Sequence, residues 1–335
     1  MVRSLMPDGI PDVIAESVQV NGGIDMRKVL LALVCATACA WGQEGTGPFP
    51  ARMEQDPGLA THTVYRPMDL SKLQGQKLPI VAWGNGACVN NGASYRNFLT
   101  EIASFGFLAI AIGPPQASPA SGAGKQAQPA GGGAGKQGAA KQGTAKQGGG
   151  APATKSSQLI DAINWAIAEN GRKDSQYYGK IDTSKVAVMG HSCGGIQAIA
   201  VAADPRISLI GNWSGGLFPA PGGGGGLTED VPKDQLDKIH SPVFYISGDS
   251  TDIAFENSND DFKRIAKVPA FRGYKDGIGH GGTYNQPNGG EFAKVAVALL
   301  EWQFKNDAEA GKMFLGPNCG LCQDSAWHIS KKGIN

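Results

Sequence analysis

Lys185-Val-Ala-Val-Met-Gly190-His191-Ser192-Cys193-Gly194-Gly195 carries the local pattern that decides the fold. Val186–Met189 reads as a short buried strand, and Gly194–Ala203 as a helix ended by Asp204-Pro205. A Gly-x-Ser-x-Gly between strand and helix marks a turn so sharp that side chains at 190 and 194 would clash, so both positions need glycine. Such a turn lifts the Ser192 hydroxyl above the sheet edge. The helix that follows presents its N-terminus to developing negative charge. Ser192 is therefore the candidate nucleophile.

Outward from this turn, strand-like and helix-like segments alternate. Pro79–Trp83 and Phe107–Ile112 are apolar runs bounded by Gly and Pro, as strands buried on both faces are. Between them Tyr95, Phe98, Leu99 and Ile102 recur at helical spacing. Ser156–Asn170 is a predicted helix, with apolar residues at 159, 160, 163 and 167 and Gly171 as its stop. Ile207–Trp213, Pro242–Ser247 and Ala270–Tyr274 are further strands, with a helix near Phe255–Lys267, and Phe292–Lys305 is an amphipathic helix. The alternation predicts an α/β fold in one domain, a mostly parallel central sheet with helices on both faces.

A serine hydroxyl needs a base, and the base needs an orienting acid. His280, in Gly277-Ile-Gly-His-Gly-Gly282 after a strand, is the candidate base; a structural loop histidine is the alternative. His191 lies inside the elbow and is expected to point elsewhere. His62 and His240 precede or enter strands, and His328 lies in the C-terminal tail. The acid should follow the strand ending at Ser247, where Gly248-Asp249-Ser-Thr-Asp252 offers two carboxylates. Serine, then acid, then histidine is the chain order of an α/β-hydrolase.

The 335 residues are only 18% charged and carry a net +1, which excludes a nucleic-acid binder driven by bulk charge. Between Pro115 and Ser157 lie five lysines, no acid and no aromatic, and Lys-Gln-Gly recurs at 136, 141 and 146. Those lysines exceed the positive excess of the whole chain, so the remainder is mildly acidic. Residues 115–155 cannot bury enough apolar surface to offset the entropy of ordering, and are expected to be a disordered insert. A weak contact with an anionic surface is the partner the lysines suggest.

Met26-Arg27-Lys28 and the apolar run Val29–Ala40, with its small-x-small ending Ala38-Cys39-Ala40, make a signal peptide over 26–40, the run being too short to span a bilayer. Residues 1–25 are then an upstream extension, and residues 41–335 the exported domain, secreted or periplasmic. A lipoprotein signal using Cys39 fits less well. Export leaves Cys88, Cys193, Cys319 and Cys322, an even set that points to disulfides with three possible connectivities. Cys319-Gly-Leu-Cys322 has no second pair to complete a zinc site.

Over roughly residues 61–325, insert aside, the chain resembles α/β-hydrolases of the dienelactone-hydrolase and polyester-hydrolase (cutinase-like) branch. The resemblance rests on Gly-His-Ser192-Cys-Gly-Gly, Ala103-Ser-Phe-Gly-Phe107, Asp252-Ile-Ala254 and Gly-His280-Gly. It implies Asp252, not Asp249, as the acid. It implies an oxyanion hole from the Cys193 amide and one amide within Gly86-Ala87-Cys88, with Ala87 and Cys88 as the choices. It places Cys88 and Cys193 on the two loops that supply those amides, within reach of a disulfide that would leave Cys319 and Cys322 to pair; two free thiols lining the pocket are the alternative. Trp213, at the end of its strand, is either a wall of the acyl pocket or a plain core residue.

The expectation is a secreted serine hydrolase acting on carboxylic esters, small or polymeric, with no metal or organic cofactor. A peptidase or amidase with the same triad is the first rival, since leaving-group preference resides in pocket shape. A non-catalytic binding protein on a hydrolase scaffold is the second.

Overall fold

The computed structural model describes residues 44–116, 154–224, 226 and 228–335. The extension 1–25, the signal segment 26–40 and most of the insert 115–155 lie outside the described residues. Those described fall within one compact unit, Gln43–Asn335.

The strands are β1 Ala51–Glu54, β2 His62–Pro67, β3 Leu78–Gly84, β4 Leu108–Ile112, β5 Ile181–His191, β6 Leu209–Trp213, β7 Val243–Gly248, β8 Ala270–Lys275 and β9 Trp327–Lys332. They form one sheet in the order β1-β2-β4-β3-β5-β6-β7-β8-β9. The six from β4 to β8 in that order pair in parallel. β1 and β2 are antiparallel additions on one side and β9 on the other. The longer helices are α1 Arg96–Ser104, α2 Ser157–Gly171, α3 Cys193–Ala200, α4 Phe255–Arg264 and α5 Gly290–Lys305.

Side-chain alternation along β3 divides the core in two. Ile80 and Ala82 meet Leu159 and Ile163 of α2 and Ile196 and Ile199 of α3. Val81 and Trp83 meet Phe98 and Ile102 of α1 and Phe292 and Leu299 of α5. All seven residues of β3 are buried, which is why the central strands read as unbroken apolar runs. Each buried Phe or Leu contributes about 1.5–3 kcal/mol of transfer free energy.

Two features depart from the sequence reading. β5 begins at Ile181 rather than Val186, and its polar first half joins β3 across a register shift between Pro79 and Ile80. The antiparallel strands β1 and β9 were not predicted, and β2 was marked only by His62, read as preceding or entering a strand. His328 consequently lies within β9, stacked on Tyr274 at 4.5 Å between ring centroids, and not in a loose tail.

The C-terminal ends of β3, β5, β7 and β8 reach one edge of the sheet, where Gly84 pairs with Gly190 and Gly248 with Lys275. Open α/β sheets bind ligands outside this edge. The loops leaving it carry residues 86–88, Ser192, Asp252 and His280.

Candidate active site

Ser192 follows β5 at φ 53° and ψ −115°, a backbone conformation costing on the order of 1–3 kcal/mol. Surrounding bonds hold it there. Its N–H donates to the Trp213 carbonyl at 2.8 Å, and its carbonyl accepts from Gly195 at 2.9 Å and Ile196 at 3.2 Å. A Cβ on Gly190 would come within 2.3 Å of the Gly194 carbonyl carbon, as the sharp turn requires. One on Gly194 would meet the Gly84 carbonyl oxygen at 2.0 Å. Glycine at 194 is thus demanded by β3 as much as by the turn.

The three residues read as nucleophile, base and acid come together on this edge. Ser192 Oγ lies 2.9 Å from His280 Nε2, and His280 Nδ1 lies 2.6 Å from Asp252 Oδ1. A carboxylate only accepts, so Nδ1–H donates to it, which leaves the Nε2 lone pair facing the serine hydroxyl. Asp252 is buried, and its oxygens also accept from the Ala254 amide at 2.9 Å and the Gly248 amide at 3.2 Å. Burial alone would raise its carboxyl. The hydrogen bonds from His280 and Ala254, with the neighbouring Ser214 hydroxyl, instead hold it below the usual carboxylate range.

Asp249 has a different task. It is half-buried, and its side chain accepts from Thr251 Oγ1 at 2.7 Å and from the Thr251 and Gly277 amides at 2.9 Å. Those bonds, Thr251 foremost, hold its carboxyl below the usual range. It stitches the turn after β7 to the loop that bears His280.

Cys88 and Cys193 form a disulfide with Cα atoms 5.4 Å apart, and Cys319 and Cys322 form another at 4.9 Å. The first ties the loop after β3 to the first residue of α3. Ala87 and Cys88 both have positive φ, 51° and 49°. The Gly86 N–H is occupied, donating to Tyr95 Oη at 3.0 Å, so it is not an oxyanion donor. Both ends of the insert are anchored on this loop. The Thr154 amide and hydroxyl donate to the Cys88 carbonyl, each at 3.1 Å, and Gln116 Nε2 donates to the Asn90 carbonyl at 2.9 Å.

Of the two readings of Trp213, its position is that of a core residue. It is completely buried, packed against Phe98 and Phe292 with ring centroids 5.4 Å and 5.8 Å away. Alternation along β6 turns Trp213, like Leu209, into the core on the α1 and α5 side.

Sequence reasoning missed Tyr95, His191 and Tyr284. Tyr95 showed only as an apolar position at helical spacing, and His191 as an elbow residue pointing away. His191 is buried, and its two ring nitrogens lie 2.6 Å from Tyr95 Oη and 2.8 Å from the His280 carbonyl oxygen. Burial pushes its imidazole down to about 4. Tyr284 is buried against Trp83, Tyr95, Phe98 and His191. Among the described residues, no group of three or more His, Cys, Asp or Glu side chains is arranged to hold a metal.

A search of the curated proteins found no match. Residues 144–212 match the model of a family described as PETase, PET hydrolase-like. The matched window takes in β5, the elbow and α3, and stops before Asp252 and His280. Through that window the chain is similar to PET hydrolase-like enzymes, which suggests hydrolysis of esters, and its fold is that of an α/β-hydrolase.

Proposed function

We propose that this protein is an exported serine hydrolase that cleaves carboxylic esters through an acyl-enzyme. The observation that carries the reading is the hydrogen-bonded line from Ser192 Oγ through the His280 ring to the buried Asp252 carboxylate. His280 Nε2 accepts the Ser192 proton as Oγ attacks the ester carbonyl, and returns it to the departing alkoxide. Asp252 keeps the imidazole in the Nδ1–H tautomer and stabilises the imidazolium. The amides of Cys193 and of Ala87 or Cys88 stabilise the tetrahedral oxyanion. Water then repeats the sequence on the acyl-enzyme. These steps call on no metal or organic cofactor.

The substrate is an ester, small or polymeric, as the similarity to PET hydrolase-like enzymes suggests. Export through a signal peptide beginning at Met26 agrees with two disulfides in the chain. N-terminal sequencing of the protein from culture supernatant should find a start just after Ala40; a start at Met1 in the cytosol would remove the export reading.

A panel of aryl esters of increasing acyl length tests the function. The wild-type protein should hydrolyse the short members. Ser192→Ala should lose a factor of about 10⁴ or more in kcat, with its melting temperature nearly unchanged. Hydrolysis that survives in Ser192→Ala would refute the assignment.

A further inference from the structure

Four groups at the site are joined by hydrogen bonds that the acylation scheme does not use. The Gly86 N–H donates to Tyr95 Oη at 3.0 Å. Tyr95 Oη lies 2.6 Å from His191 Nδ1, and His191 Nε2 lies 2.8 Å from the His280 carbonyl oxygen. The chain begins on the loop after β3, where the second oxyanion amide is sought, and ends on the backbone of the base itself.

Its polarity follows from chemistry. A carbonyl oxygen only accepts, so His191 carries its proton on Nε2. His191 is buried and neutral above about pH 4, burial being the dominant cause, so Nδ1 has a lone pair and no proton. The Tyr95 O–H must therefore donate to Nδ1. Burial pushes that phenol up to about 12, which keeps it protonated. The phenol oxygen in turn accepts from Gly86. Every proton in the chain has one available direction, from the Gly86 N–H to the His280 carbonyl.

The surroundings are built around this chain. A Cβ on Gly86 would lie 2.5 Å from both His191 Nδ1 and Tyr95 Oη, so any larger residue would disrupt it. Tyr284 packs on both rings, with centroids 5.1 Å from Tyr95 and 4.8 Å from His191. The Cys88–Cys193 disulfide fixes the oxyanion loop to the nucleophile's neighbour but does not reach the His280 loop. The hydrogen-bond chain runs between those two loops.

We propose that Tyr95 and His191 are positioning residues whose directional hydrogen-bond chain holds the oxyanion loop and the His280 loop in register. The proposal deepens the serine-hydrolase reading and, for its kinetic arm, rests on it. Misplacing a reacting group by about 1 Å costs up to about 10²-fold in rate. Substrate binding is largely untouched, because neither side chain is exposed.

Two readouts on four variants test it. Tyr95→Phe removes one hydroxyl, and His191→Leu removes both polar ring atoms. His191→Gln retains an amide N–H able to reach the His280 carbonyl. Tyr177→Phe deletes another buried tyrosine's hydroxyl bond, to Glu54 at 3.2 Å, and serves as the control. Tyr95→Phe should lower kcat for a short aryl ester by about ten- to a hundredfold with KM changed less than about twofold. His191→Leu should lose at least as much, and His191→Gln should recover part of it. Tyr177→Phe should keep the wild-type kcat.

The second readout is amide hydrogen exchange of segments 84–90 and 276–283, which needs no turnover. Tyr95→Phe should speed exchange in both segments, although its own partners include only one residue of the first. Wild-type exchange at 276–283 in Tyr95→Phe would overturn the connection. Faster exchange with an unchanged kcat would overturn its part in catalysis. A wild-type protein that hydrolyses no ester would sink the hydrolase reading instead, while the exchange experiment would still decide the connection.

Discussion

The two disulfides mark two regions of the sheet that are held together differently. Cys88–Cys193 bridges residues 105 positions apart and joins two loops on the edge that gathers Ser192, Asp252 and His280. Cys319–Cys322 spans three positions, at a short helix Gly320–Gln323 ahead of the antiparallel strand β9. Closing a loop of about 100 residues removes roughly 4–5 kcal/mol of chain entropy from the unfolded state, and a very short loop removes far less. The site edge also holds Ser192 in a strained backbone, with glycines where β3 and α3 touch. The contrast is between an edge where a long-range bridge and a strained turn hold separate loops together and a flank where the bridge is local.

The sharpest way to break this comparison lies within the site edge, at its two aspartates. Asp252→Asn should lower kcat by about 10⁴, since the amide no longer enforces the Nδ1–H tautomer or stabilises the imidazolium. Asp249→Asn retains an oxygen that can accept from Thr251 and Gly277, and should be mild. Steady-state kinetics on one ester decide it, and the opposite ranking would move the acid to Asp249.

A smaller effect sharpens the same contrast. Replacing Cys88 and Cys193 together by alanine should lower both kcat and the melting temperature, by more than about 2 kcal/mol in stability. The double alanine variant of Cys319 and Cys322 should keep kcat and lose little stability. Equal kcat losses in the two variants would mean that the first bridge has no special part in holding the oxyanion amides.

The legible part of the fold was its centre. Strands such as Pro79–Trp83 are buried on both faces, so burial wrote itself into the sequence as unbroken apolar runs. The flanking strands left weaker marks. β1 is Ala-Arg-Met-Glu and β9 is Trp-His-Ile-Ser-Lys-Lys, both short and mixed in polarity as edge strands are, while β2, paired on both sides, ends in Arg66-Pro67.

The Gly-x-Ser-x-Gly elbow was legible because its backbone geometry demands glycine whatever surrounds it. Ser192, His280 and one of the two aspartates could be named from the sequence. Choosing Asp252 needed the family resemblance, because both aspartates sit in the same turn. The Tyr95–His191 chain was illegible, since a tyrosine at helical spacing adds to the apolar period and hides the polar atom at its tip. Trp213 could not be assigned between core and pocket wall for a related reason. The end of a strand names a sheet edge, but alternation decides which way the side chain points.

The central claim is that Ser192 is the nucleophile, and covalent labelling tests it most directly. A fluorophosphonate incubated with the folded protein, followed by peptide mapping by mass spectrometry, reads the site of attack. One adduct should appear on Ser192, retained in Asp249→Asn and absent in Ser192→Ala. A folded protein with no adduct, or with its adduct on another residue, would contradict the account.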